Sequence, residues 1–164
     1  MATDRDNPYT PPEARVADPE NEPGSPLKAV AIGLAVDIGG TFMTSLVLGI
    51  VYGITLAASG ASAEAAASAF ADVSPYSWLS IAGFLAGGGF SILGGYLCAR
   101  IAKHSEYKLG GILATISTVF GLLLSMNSYS PFANLILSIA SFATVMIGVQ
   151  IGYSRNRLSA REGI

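Results

Sequence analysis

The chain has a single cysteine, Cys98, and a single histidine, His104. A lone thiol excludes an internal disulfide and a multi-cysteine metal centre, and a lone imidazole with no second ligand beside it speaks against a zinc site. Charge is scarce as well. Only 12% of the 164 residues are Asp, Glu, Lys or Arg, and a net charge of −2 supplies no basic surface for nucleic acid. Proline is nearly confined to one end, with six of the eight falling before Leu27. Catalytic signatures are missing too. Gly87-Gly88-Gly89 sits inside an apolar run with no strand before it and no lysine at phosphate-loop spacing, and Gly89-Phe90-Ser91-Ile92-Leu93-Gly94 does not match a nucleophile elbow. The expectation is a protein that is not an enzyme and uses no cofactor and no metal.

What the sequence has is apolar length. Apolar residues make up 51% of the chain, and the charges are segregated, with nine up to Lys28, three (Asp37, Glu64 and Asp72) in the middle, and eight from Arg100 onward. A helix needs about 20 mostly apolar residues to cross roughly 30 Å of hydrocarbon. Four runs qualify, over about 29–57, 78–99, 109–126 and 132–152. Pro26, Ser74-Pro75, the stretch Arg100 to Lys108, and Asn127 to Pro131 punctuate them. The fold class that follows is all-α, an integral membrane bundle of four transmembrane helices connected up and down, with lipid as its surroundings. The first run gives about 43 Å of helix, so it must tilt, bend near Gly39-Gly40 or project from the membrane.

Lysine and arginine near span ends fix orientation, because they are retained in the cytoplasm. Lys28, the trio Arg100, Lys103 and Lys108, and the trio Arg155, Arg157 and Arg161 all fall at one end of the bundle, and the opposite connections, 58–77 and 127–130, carry none. Both termini are therefore expected in the cytoplasm, with Trp78 and Tyr76 at one interface and Tyr107 and Tyr153 at the other. Residues 1–27 form an acidic, proline-rich tail with too little apolar surface to fold, and disorder is its default. Within it, Asn7-Pro8-Tyr9-Thr10-Pro11-Pro12 is either an extended recognition segment or plain solvated chain. Residues 28–155 make the transmembrane domain, and 156–164 a basic cytoplasmic C-terminal tail. The connection after the first span holds nine alanines between Ala57 and Ala71 and reads as a short helix or a continuation of that span.

Small residues recur at every fourth position in three spans and at steps of three or four in the other. The first span has Gly33, Asp37, Thr41, Ser45, Gly49 and Gly53, the second Gly83, Gly87, Ser91 and Gly95, the third Gly110, Ala114, Ser117 and Gly121, and the fourth ends with Gly148 and Gly152. Lipid gives helices no hydrophobic reason to associate, so close backbone approach along small residues supplies the contact. These stripes are helix-packing seams, toward other spans, another copy of the chain or a larger membrane complex.

Asp37 is the one ionisable side chain well inside a span, about 13 Å of helix rise beyond Lys28. A carboxylate there costs on the order of 3 kcal/mol on insertion scales, so it should face the bundle. Thr41 and Ser45 share its face, and Gln150 in the fourth span lies at comparable depth as an interhelical partner. Two readings stand open. In one, Asp37, Thr41, Ser45 and Gln150 form a proton or cation site of a small coupled transporter. In the other, Asp37 donates a hydrogen bond that fixes packing in a non-enzymatic membrane protein.

Two resemblances bear on this. Leu34-Ala35-Val36-Asp37-Ile38-Gly39-Gly40-Thr41 resembles the stretch around the essential acidic residue in the first span of small multidrug resistance transporters, which also have four spans. That likeness implies that Asp37 is a proton- and drug-exchanging carboxylate. The chain departs from those transporters in its proline-rich tail, its alanine-rich loop and the lack of a tryptophan-containing glycine motif in the third span. Along more of its length, through Asn7 to Pro12 and through Gly94-Gly95-Tyr96-Leu97-Cys98-Ala99-Arg100-Ile101-Ala102, it resembles uncharacterised small four-span bacterial membrane proteins. That resemblance implies a bacterial inner-membrane location and no known chemistry.

Overall fold

A computed structural model describes residues 24–74, 77–126 and 128–162. The tail up to residue 23 with its Asn7 to Pro12 segment, and Pro75, Tyr76 and Asn127 in the turns, lie outside the described residues. Five helices follow in chain order: α1 Pro26–Ala58, α2 Ala63–Ala71, α3 Trp78–Ala102, α4 Glu106–Ser125 and α5 Pro131–Glu162, with no strand among the described residues.

Local signals set the helix starts. Pro26 and Pro131 take first-turn positions, where a missing N–H costs nothing. Ser25, Ser62 and Ser77 each accept a bond from the backbone N–H three residues on, at 3.5, 3.2 and 3.2 Å. The α3–α4 connection is tight, and Lys103 and Ser105 adopt left-handed backbone angles to make it, with φ of 53° and 49°. The α1 helix runs unbroken through Gly39-Gly40. The connection after it folds as the separate helix α2, with Phe70 stacked edge-on against Tyr52 at 5.0 Å. Beyond its apolar part, α5 continues to Glu162 as a helical extension, because Tyr153 to Glu162 contains no residue that breaks a helix.

α1, α3, α4 and the apolar part of α5 are long and apolar enough to cross a membrane. Their outward faces carry large exposed apolar side chains, on α1 from Phe42 and Met43 through Leu46, Val47 and Ile50 to Ile54, a surface that water would not tolerate. The chain has the architecture of a multi-pass membrane protein. In cross-section the long helices form a diamond. α3 packs on both α1 and α5, α4 closes the other two sides, and α1 and α5 stand at opposite corners without touching.

The tight core occupies the half of the bundle at its basic end, where Ala29, Cys98, Ala99, Ala102, Leu113, Ala114, Val145 and Val149 are fully buried. Backbones nearly touch there. A Cβ on Gly94 would lie 2.7 Å from the Gly33 carbonyl oxygen, one on Gly152 would lie 2.7 Å from that of Tyr96, and those on Gly95 and Gly148 would overlap the carbonyls of Val145 and Ile92. Polar ties close this end. The Asn156 amide donates to the Ala99 carbonyl at 2.9 Å and to Glu106 at 3.3 Å, and Arg100 donates to the Asn156 carbonyl oxygen at 3.2 Å.

Candidate functional site

Where the tight half ends, Asp37 stands, 4% exposed. α1 brings it to the bundle axis because Gly33, one turn earlier, lets α1 settle against α3. A Cβ on Gly94 would be 3.0 Å from that of Asp37, so the carboxylate is reached only because position 94 has no side chain. Each carboxylate oxygen accepts one serine hydroxyl from a different helix. Ser91 Oγ of α3 donates to Oδ1 at 2.7 Å, and Ser117 Oγ of α4 donates to Oδ2 at 2.5 Å. A carboxylate has about four lone-pair positions, so two donors leave capacity for a proton or a cation.

On the side away from the tight half, Asp37 faces a cavity of about 520 Å³ bounded by all four long helices. Drug-sized ligands occupy pockets of roughly 300–1,000 Å³. The polar lining consists of Asp37, the hydroxyls of Thr41, Ser45, Ser80, Ser91, Ser117, Ser141 and Thr144, and Tyr129. Phe42, Phe84, Phe120, Leu124 and Leu137 supply the apolar wall, and Asp37 is the only acidic or basic residue in the lining. Glycines make the room: Gly83, Gly87, Gly88 and Gly121 face the space, and a Cβ on Gly88 or Gly121 would meet nothing within 4 Å.

The residues singled out from sequence distribute unevenly around this centre. Thr41 and Ser45 line the cavity beyond Asp37, but their hydroxyls donate to the backbone carbonyls of Asp37 and Thr41 at 2.7 and 2.9 Å, leaving oxygen lone pairs toward the space. Gln150 is elsewhere. It is exposed near the basic end, where Tyr107 donates to its side-chain oxygen at 2.5 Å, and its helix does not touch α1. Among the seam residues, Gly33, Gly95, Gly148 and Gly152 sit in close approaches within the chain. A Cβ on Gly87 would lie 3.6 Å from the Thr41 methyl, one on Gly83 3.9 Å from Leu48 and one on Gly53 3.9 Å from Phe70, and one on Gly49 would meet nothing within 4 Å. Ser91 is a ligand to the carboxylate as well as a seam residue.

Sequence reasoning put Ser117 in a packing stripe and missed its bond to Asp37. The signal was depth: in an up-and-down bundle, Ser117 lies eleven residues into α4, as Asp37 lies eleven into α1. Thr144 carried the same mark, thirteen residues into α5 as Ser91 is thirteen into α3, while Ser141 and the three phenylalanines carried none. Among the described residues, no three His, Cys, Asp or Glu side chains come together as metal ligands. Compared with models of known families, with curated proteins and with solved structures, the chain matches none.

Proposed function

We propose that this chain is a small carrier of the bacterial inner membrane in which Asp37 exchanges a proton for a cation. The observation that carries the reading is one buried carboxylate at the closed end of a cavity bounded by four helices. A packing residue needs a partner; it does not need a partly open cavity of about 520 Å³ beside it. The cavity offers a single carboxyl group, hydroxyl oxygens and aromatic faces, which suits a monovalent cation. The likeness of Leu34 to Thr41 to the acidic stretch of small multidrug resistance transporters points the same way. In this reading the basic end faces the cytoplasm, since Lys28, Arg100, Lys103, Lys108, Arg155, Arg157 and Arg161 all cluster there.

A second reading, association with another copy or with a larger complex, draws support from Gly39 and Gly49 on α1, which have nothing packed on them. Proton release from purified protein separates the two. Monovalent organic ammonium ions added to the wild type at constant pH should displace protons, and Asp37→Asn should release none while remaining folded. Equal release from both proteins, or none from either, would sink the carrier reading.

A further inference from the structure

Seven lysines and arginines gather at one end of the bundle, and the chain enters α1 in their midst. The Gly24 N–H donates to the Ala102 carbonyl at 3.1 Å, and a Cβ on Gly24 would overlap the Ile101 carbonyl, so only glycine lets the backbone lie against the end of α3 here. The His104 ring nitrogen donates to the same Ala102 oxygen at 2.6 Å. Lys103, the next residue, caps α3 with a left-handed backbone. Asn156 of α5 bonds to Arg100 and to the Ala99 carbonyl, which brings the stretch holding Arg155 and Arg157 to the end of α3. Arg157 lies over the Tyr153 ring, 5.5 Å from its centre, and stacking of this kind leaves the in-plane N–H groups of a guanidinium for acceptors. The two helix carboxylates at this end, Glu106 and Glu162, do not balance so many positive charges.

The balancing charge lies in the sequence just before Gly24. Residues 1–23 hold six acidic side chains to two basic ones, and three of the six fall in Asp18-Pro19-Glu20-Asn21-Glu22-Pro23. At no more than about 3.6 Å per residue, the chain keeps Glu22 within about 7 Å of the pinned Gly24 and Asp18 within about 22 Å. So short a tether holds these carboxylates beside the basic end at an effective concentration in the millimolar range, which a competitor from solution would have to match. Pro19 and Pro23 restrict the free chain, so ordering it costs less entropy. Retention of positive residues on one side of a membrane accounts for the basic rim, but not for an acidic run tethered at its centre.

We infer that Asp18, Glu20 and Glu22 dock on the basic end of the bundle, against Arg100, Lys103, Arg155 and Arg157, and keep anionic lipid headgroups off it. The segment is a clasp between the entry to α1 and the ends of α3 and α5. Salt loosens it, and it is independent of what Asp37 does.

Spin labels at Ala17→Cys and Ser159→Cys, in a Cys98→Ala background, report the distance from the segment to α5 by pulsed electron spin resonance on the full chain in neutral-lipid nanodiscs. At about 50 mM salt a short-distance population should dominate. Raising salt to about 0.5 M should cut it about threefold or more, because the screening length falls from about 14 Å to about 4 Å. Asp18→Lys, Glu20→Lys and Glu22→Lys together should abolish it at low salt. These residues precede every packed helix, so folding of the bundle is not at stake. A broad distribution in the wild type at low salt, or a short population indifferent to both salt and charge reversal, overturns the clasp. Its loss when part of the neutral lipid is replaced by phosphatidylglycerol also overturns it, and assigns the basic end to lipid headgroups instead.

Discussion

Two halves of one bundle, built from the same small residues, treat glycine in opposite ways. Toward the basic end a methyl group added to Gly95 or Gly148 would run into the backbone of the facing helix, and one added to Gly33 would lie 3.0 Å from the Gly94 carbonyl oxygen. On the other side of Asp37, a methyl on Gly88, Gly89 or Gly121 would meet nothing within 4 Å. Glycines on the inward faces of the first half bring helices together; in the second, Gly88 and Gly121 border open space, while Gly40 gives way to the Phe90 ring, which a Cβ there would overlap. The lone intramembrane carboxylate sits at the boundary, held by the closed half and presented to the open one. Apolar side chains pointing outward are common to both halves, so hydropathy does not separate them.

That contrast is breakable by substitution. The largest effect belongs to Gly148→Val, whose branches would enter the backbone of α3 at Ile92 and Tyr96. Overpacking with backbone on both sides should cost about 3 kcal/mol or more, read as loss of folded, monodisperse protein or a steep fall in Tm in detergent. Next comes the boundary. Ser117→Ala removes the hydroxyl on Oδ2 of a buried carboxylate and should destabilise the protein by about 1–3 kcal/mol in thermal unfolding, with Ser91→Ala acting in the same direction. Gln150→Ala is the control for that pair. It should leave cation-driven proton release unchanged and shift stability by no more than about 0.5 kcal/mol, as an exposed position does. The smallest effects are expected in the open half, where Gly88→Ala and Gly121→Ala should be neutral or stabilise by up to about 1 kcal/mol through helix propensity. If Gly88→Ala proved as harmful as Gly148→Val, the two halves would not differ as described.

How far the sequence foretold this depends on the kind of information each feature needs. The four long helices were legible because an apolar run of spanning length is a one-dimensional property, and their starts because proline and serine act locally. The burial of Asp37 was legible for the same reason, since a single carboxylate in an apolar run must turn inward. Depth along each helix was legible too, from counting residues in an up-and-down chain. Which helix stands beside which was not. Small residues stripe all four spans, so nothing in the pattern distinguishes neighbours from opposite corners. Ser117 stood at the depth of Asp37 on a helix not known to be its neighbour; Gln150, bonded to Tyr107 ten residues before Ser117 on α4, lies nearer the basic end than the sequence placed it, on the helix at the opposite corner from α1. The cavity was hidden for a related reason. Gly88 and Gly148 are the same letter, and what separates them is the presence of a facing backbone, which belongs to the tertiary fold. The helical run of α5 past Gly152 escaped because the apolar pattern stops there while helix propensity does not.

In the proposed carrier, the Asp37 carboxyl gives up its proton when a cation enters the cavity. Infrared difference spectroscopy sees that event at the bond itself. Adding an ammonium cation to the wild type should remove the C=O stretch of a protonated carboxylic acid and raise the symmetric carboxylate band, and Asp37→Asn should show neither change. A carboxyl spectrum that stays the same on adding cation, or the same difference signal in Asp37→Asn, would contradict the account.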